Sequence, residues 1–161
     1  MTAYQTACFT GHRTLPLSHI EPLSERLKAQ IISLHREQGV CRFLSGGAVG
    51  FDLLCAVTVV NLRHYYPDLR LGMILPCEHH DRGWSAHDRD LLARILNRAD
   101  EVVYTGKDYD RTCMFIRNRY LVDHSRYCIA YQSRTQGGTA YTVEYAQKKG
   151  LQIYNLAQGL T

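Results

Sequence analysis

The chain has few of the features that mark membrane or secreted proteins. Its longest apolar-rich segment is Leu53 to Leu62, about half of what a bilayer-spanning helix needs. The first residues, Met1 to Gln5, carry no basic charge, and the apolar run after them is short, unlike a secretory signal. These absences predict a cytoplasmic protein that does not associate with membranes.

Paired cysteines are also missing. The six cysteines are far apart and form no C-x-x-C pair, which is typical of buried, reduced thiols rather than disulfides or zinc sites. The stretch His79-His80-Asp81 suggests a metal at first sight, but adjacent histidines point apart and no helix-spaced partner follows. The sequence therefore predicts neither a metal nor any other cofactor.

Low-complexity linkers are absent, and only four prolines interrupt the 161 residues. This length fits one domain, predicted to span residues 1–161. The net charge of +4 favours anionic ligands only weakly, because a solvated basic surface gives the same total.

Short apolar runs alternate with amphipathic segments along the whole chain. Helical spacing is clearest from Ile20 to Leu34, where Ser18 and Glu21 have capping-box spacing. In a later helix, about 113–123, Arg117 falls on the same predicted inner face as Ile116. Six predicted strands and five helices indicate an α/β class protein with a three-layer Rossmann-like fold and a mainly parallel six-stranded sheet.

Glycines and cations follow the predicted strands. In a parallel sheet the loops after the strands share the carboxyl edge, where ligands bind in open α/β folds. The sequence therefore predicts an anion site at that edge, with backbone N–H groups at helix starts holding phosphate. The candidate binding residues in these loops are Gly11, His12, Arg13, Ser45, Gly46, Gly47, Gly50, Gly137, Gly138 and Thr139.

Three further candidates each have two compatible roles. Asp52 lies in the first turn of its helix, where it either favours the helix dipole or contacts ribose hydroxyls. Trp84 is either a core anchor or a platform on which a base stacks. Glu144 is either an exposed helix residue or a catalytic carboxylate.

Several motifs together resemble the YpsA-like family of the SLOG superfamily, whose relatives include the LOG phosphoribohydrolases and the DNA-processing protein DprA. The motifs are Thr10-Gly11-His12-Arg13, Ser45 to Asp52, Tyr66 to Leu69, Pro76 to Trp84, Arg117-Asn118 with Val122-Asp123, and Gly137-Gly138-Thr139. The similarity covers nearly the whole chain and implies a pocket for a nucleotide or a nucleotide-derived ligand, to which Asn118 would also contribute.

LOG-type enzymes have a helical arginine before a P-G-G-x-G-T-x-x-E segment. Arg117 and the stretch Gln136 to Glu144 are similar, so the resemblance implies Arg117 and Glu144 as catalytic candidates. The match departs from that pattern at Gln136 and Ala140. This departure weakens the inference of catalysis more than the inference of binding.

Three functions follow. The first is a sensing or processing module that binds a nucleotide-derived small molecule, with Gly46, Gly47, Gly137 and Gly138 lining one pocket that Arg13 and Arg117 enter. The second is an N-glycosidase acting on nucleoside monophosphates through an oxocarbenium-like state. The third is a DprA-like binder of single-stranded nucleic acid, which is less favoured because no row of aromatics alternating with cations is evident. A homo-oligomer is compatible with all three.

Overall fold

The computed structural model describes residues 2–160 and contains alternating strands and helices after a short 3₁₀ turn at Ala3–Gln5. The strands are β1 (Thr6–Gly11), β2 (Arg42–Ser45), β3 (Arg70–Leu75), β4 (Glu101–Tyr104), β5 (Tyr127–Tyr131) and β6 (Gln152–Asn155). The helices are α1 (Leu17–Gln38), α2 (Phe51–Leu62), α3 (Ala86–Arg98), α4 (Cys113–Asp123) and α5 (Gly138–Lys148).

All six strands are parallel, in the order β4-β3-β2-β1-β5-β6. One apolar cluster joins helices α1, α2 and α3 to one face of the sheet, and a smaller cluster joins α4 and α5 to the other face. The predicted three-layer Rossmann-like fold is confirmed. Within residues 2–160, no helix combines the length and the apolar character needed to cross a bilayer.

A side-chain cap marks the start of α3 but not the start of α1. At α3, the N-cap residue Ser85 accepts a hydrogen bond through Oγ from the Asp88 N–H at 3.1 Å. At α1 the capping-box prediction is wrong, because the helix begins at Leu17 and places Ser18 inside its first turn. Pro22 lies within this helix, where it removes one backbone hydrogen bond.

The inner face of α4 also differs from the prediction. Ile116 is 48% exposed, whereas Arg117 is only 4% exposed. The apolar residue therefore faces solvent and the charged residue faces the sheet. Burial of a guanidinium is costly unless partners satisfy it, and those partners lie at the carboxyl edge of the sheet.

Five of the six cysteines, Cys8, Cys55, Cys77, Cys113 and Cys128, are buried thiols outside any disulfide. Burial raises the pKa of the Cys55 thiol well above its usual value. These residues behave as small apolar groups that fill the core.

Candidate functional site

A cavity of about 290 Å³ opens at the carboxyl ends of β1 and β5. The chain leaves β1 toward β2 and leaves β5 toward β6, in opposite directions across the sheet, so the two connections diverge there. Ligands of open α/β sheets bind in the crevice at such a switch point. The cavity is lined by Phe9, Thr10, Gly11, His12, Arg13, Thr14, Ala48, Asp52, Met114, Arg117, Asn118, Arg134, Gly138 and Thr139.

Arg117 and Asp52 form a buried charged pair at the inner wall of this cavity. A Cβ on Gly46 would lie 2.7 Å from Arg117 Nη1 and 2.9 Å from Asp52 Oδ2. A side chain on Gly46 would therefore overlap both the guanidinium and the carboxylate. The Gly46 carbonyl also accepts a hydrogen bond from Arg117 Nη1.

Burial dominates the electrostatics of this pair. It raises the pKa of Asp52, although Arg117 and the Ala48 N–H act in the opposite direction. It also lowers the pKa of Arg117, against the pull of Asp52. Neither charge is well solvated, so each depends on the other.

Neighbouring side chains contact the remaining N–H groups of the Arg117 guanidinium. Nε donates to Asn118 Oδ1 at 2.8 Å, and Nη2 contacts the Met114 sulfur at 3.5 Å. Arg13 Nη2 approaches the same sulfur at 3.8 Å. Arg117 is therefore fixed within the protein, while Arg13 is exposed at the mouth of the cavity.

The glycine loop between β2 and α2 is closed by its own contacts. Ser45 Oγ donates to the Asp52 carbonyl at 2.9 Å and accepts from the Gly47 N–H at 3.3 Å. Asp52 Oδ2 accepts from the Ala48 N–H at 3.3 Å. Two backbone donors of this loop that could hold phosphate, the N–H groups of Gly47 and Ala48, are thus occupied by the protein itself.

Other parts of the protein pack closely against the glycines of this loop. Gly47 has a φ of +69°, and a Cβ on it would lie 2.5 Å from Leu75 Cδ2. At Gly50, with a φ of +84°, a Cβ would overlap the backbone carbonyl of Arg13. Gly11 lines the cavity, but a Cβ on it would overlap the Phe51 ring.

The glycine loop before α5 is open. A Cβ on Gly137 or Gly138 would meet nothing within 4 Å. The N-cap residue Gly137 offers no side-chain cap, and the first turn of α5 carries no acid. The start of α5 therefore presents its backbone donors and positive dipole end at the cavity, where Gly138 and Thr139 lie.

His12 connects the two loops across the switch point. It is only 6% exposed, and its ring packs edge-on against Tyr131 with 5.5 Å between centroids. The Ser133 N–H donates to Nε2 at 2.9 Å, and Arg134 Nη2 lies 3.1 Å from Nδ1. Burial and the charge of Arg134 lower the pKa of His12, so the ring is neutral near pH 7.

Eight of the predicted site residues line the cavity: Gly11, His12, Arg13, Asp52, Arg117, Asn118, Gly138 and Thr139. Seven do not: Ser45, Gly46, Gly47, Gly50, Trp84, Gly137 and Glu144. Of the four glycines expected in one pocket, only Gly138 lines it, while Gly46 borders the buried charged pair.

Trp84 and Glu144 lie elsewhere. Trp84 packs on the core beside His80, with 5.2 Å between ring centroids, and the buried His80 donates from Nε2 to the Gly47 carbonyl. Glu144 is exposed on α5 and pairs with Lys148 at 3.2 Å. Asp52, not Glu144, is the carboxylate that lines the cavity.

Arg134 is the cationic lining residue absent from the predicted set. It follows β5 and precedes Gly137 by three positions, so its place in a loop of the carboxyl edge was the available signal. Its contact with His12 spans 122 residues and has no local sequence pattern. Within residues 2–160, no group of three His, Cys, Asp or Glu side chains is arranged to hold a metal ion.

A family model described as the YspA SLOG family matches residues 7–158. The chain belongs to this family. It is 28% identical over 148 residues to the uncharacterized prophage-derived protein YoqJ of Bacillus subtilis, covering 83% of this chain and 86% of YoqJ. It is 31% identical over 117 residues to a UPF0398 protein of Bacillus thuringiensis, covering 71% of this chain and 64% of that relative.

The fold of this SLOG family member has a counterpart among solved structures. DNA processing protein A (DprA) from Streptococcus pneumoniae superposes with a TM-score of 0.66 at 16% identity, covering 98% of this chain and 53% of DprA. At this identity the likeness extends to the fold alone.

Proposed function

We propose that the cavity binds the phosphate-bearing part of a nucleotide or nucleotide-derived ligand, and that the protein acts as a sensing or processing module for it. The observation that carries the proposal is the convergence of Arg13, Arg117 and Arg134 with the open start of α5 at one switch-point cavity. Asp52 is the one acid among the lining residues, and it is paired with Arg117. The positive charges of Arg13 and Arg134 are therefore available to the ligand.

The dimensions support a compact ligand. A volume of about 290 Å³ is at the small end of ligand pockets, which begin at roughly 300 Å³. A sugar phosphate fits this space, and the open side leaves a base or a second group to extend outward.

The arrangement favours binding over glycosidic cleavage. A glycosidase needs a carboxylate that can approach the anomeric carbon. Glu144 does not line the cavity and pairs with Lys148, and Asp52 Oδ2 accepts a hydrogen bond from the Ala48 N–H. Binding of single-stranded nucleic acid draws support from the DprA fold alone.

Calorimetric titration of nucleoside monophosphates, dinucleotides and ADP-ribose tests the proposal, with Arg13→Gln as the variant. Arg13 is exposed, so its removal leaves the fold intact. Loss of a charge-assisted hydrogen bond should weaken binding at least about tenfold. Arg94→Gln on α3 is the matched control, because it removes the same charge from a solvated surface pair.

Equal affinities of Arg13→Gln and Arg94→Gln would show that only net charge attracts the ligand, and an absence of nucleotide binding would contradict the proposal outright. Chromatography of the same mixtures follows free base, which we expect to stay undetected. Base release lost in Asp52→Asn but kept in Glu144→Gln would instead identify an enzyme that uses the cavity carboxylate.

A further inference from the structure

The two nitrogens of the His12 ring face two hydrogen-bond donors. The Ser133 backbone N–H lies 2.9 Å from Nε2, and an N–H group of Arg134 lies 3.1 Å from Nδ1. A neutral imidazole has one lone pair available and an imidazolium has none. At most one of these two donors can therefore bond to the ring.

The backbone donor takes the lone pair. Ser133 follows β5 by two residues, so the direction of its N–H is set by the end of the sheet. Arg134 has a long, exposed side chain that can turn to water or to a ligand. An unsatisfied backbone amide costs more than a solvated guanidinium N–H, so Nε2 accepts from Ser133 and Nδ1 carries the hydrogen.

This tautomer places two donors against each other. The Nδ1–H of His12 and the guanidinium of Arg134 then face each other, with Nδ1 and Nη2 3.1 Å apart. His12 cannot turn away, because the ring is packed edge-on against Tyr131 and is 6% exposed. The two donors are satisfied only when an acceptor, such as an anionic oxygen, lies beside them within hydrogen-bond distance of both.

We propose that His12 and Arg134 bind a terminal phosphomonoester group of the ligand, with His12 Nδ1–H and the Arg134 guanidinium donating to its oxygens. This inference rests on the proposed function and specifies which chemical group the cavity selects. The start of α5 supplies the remaining donors, since Gly138 and Thr139 line the same cavity. A terminal phosphomonoester has three unesterified oxygens and a charge of about −1.5 to −2 near pH 7, whereas a phosphodiester has two such oxygens and a single charge. The cationic and backbone donors of this site therefore favour a terminal phosphate.

Two substitutions separate the two nitrogens of His12. In His12→Gln the amide oxygen takes the place of Nε2 and still accepts from Ser133, but the Nδ1–H donor is lost. In His12→Asn the amide nitrogen takes the place of Nδ1 and keeps the donor, while the acceptor for Ser133 is lost. The tautomer deduced above thus predicts opposite effects of two amide side chains.

The probes are inorganic phosphate and adenosine 5′-monophosphate, titrated by calorimetry, with adenosine as the ligand that lacks phosphate. We expect His12→Gln and Arg134→Gln each to weaken phosphate binding roughly tenfold or more. His12→Asn should stay within about threefold of wild type, and Arg94→Gln should match wild type. Thermal unfolding of each variant confirms that it is folded.

Nitrogen NMR of the imidazole supplies an independent readout of the unliganded protein. We expect the hydrogen of His12 on Nδ1, with a shift of that signal when phosphate is added. A hydrogen on Nε2, or equal phosphate affinity in wild type and His12→Gln, would overturn the proposal. Nucleotide binding that depends on Arg13 but not on His12 would overturn this inference and leave the proposed function standing. Phosphate binding through His12 without any nucleotide binding would do the reverse.

Discussion

The protein has two glycine loops that look alike in sequence and differ in structure. The Ser45 to Gly50 loop is filled by its own side chains, by the Arg117–Asp52 pair and by the backbone of Arg13. The Gly137-Gly138 loop has empty space on its glycine faces and an uncapped helix start. Glycine is required in the first loop because other residues pack closely against its backbone. In the second loop, glycine leaves the backbone accessible to a ligand.

The largest expected effect separates these two uses of glycine. Gly50→Ala should cost about 4 kcal/mol or more in unfolding free energy, because the new Cβ overlaps a backbone carbonyl at a strained positive φ. Gly138→Ala should change stability by less than about 1 kcal/mol, since its Cβ meets nothing. Urea denaturation measures both.

Gly39→Ala is the control for the backbone conformation alone. Gly39 has a φ of +72° at the end of α1, and its added Cβ has no neighbour within 4 Å. We expect a loss of about 1 kcal/mol. If Gly50→Ala costs no more than Gly39→Ala, close packing is not what requires glycine in the first loop.

The next largest effect concerns the charged pair that borders the closed loop. Arg117→Met should cost about 3 kcal/mol, because it leaves the buried Asp52 carboxylate without its partner. Combining it with Asp52→Asn should cost clearly less than the sum of the two single changes in urea denaturation. Additive losses would mean that the two charges do not depend on each other.

The smallest effect is a pH dependence shared by the two loops. Burial lowers the pKa of His12 beside the open loop and of His80 beneath the closed loop, both from an ordinary value of 6.5. The unfolded chain therefore binds more protons below about pH 6.5, and stability should fall as the pH drops from 7 toward 5.

His80→Gln should reduce that pH slope, because it keeps a donor for the Gly47 carbonyl and cannot be protonated. Melting temperatures of wild type and variant across this pH range measure the difference, which is at most about one proton. An unchanged slope would show that His80 is not kept neutral by the fold. The nearby charges are Asp81, which raises the pKa of His80, and Arg117 and Arg13, which lower it.

Much of the fold follows from local pattern. The alternation of short apolar runs with amphipathic segments predicts the order of strands and helices, and the helix predicted at about 113–123 agrees with α4. Parallel strands then bring the loops after them to one edge, so Arg13, Arg117 and Gly138 share a cavity although they are far apart in the chain.

Other features of the site depend on contacts between distant segments. The burial of Arg117 depends on Gly46 in the loop after β2 and on Asp52 in the first turn of α2. Local periodicity favours an apolar residue for the interior. Only partners supplied by the tertiary structure offset the desolvation cost of burying the charged residue.

The sequence by itself determined the α/β architecture, the edge at which the glycines and cations gather, and eight of the residues that line the cavity. The tertiary structure decided which glycine loop is open, excluded Glu144 from the cavity, and brought Arg134 to His12 across 122 residues. The physical reason is that strand and helix patterns are local properties of the chain. The space beside a glycine and the partner of a buried charge are set by the segments that pack against them.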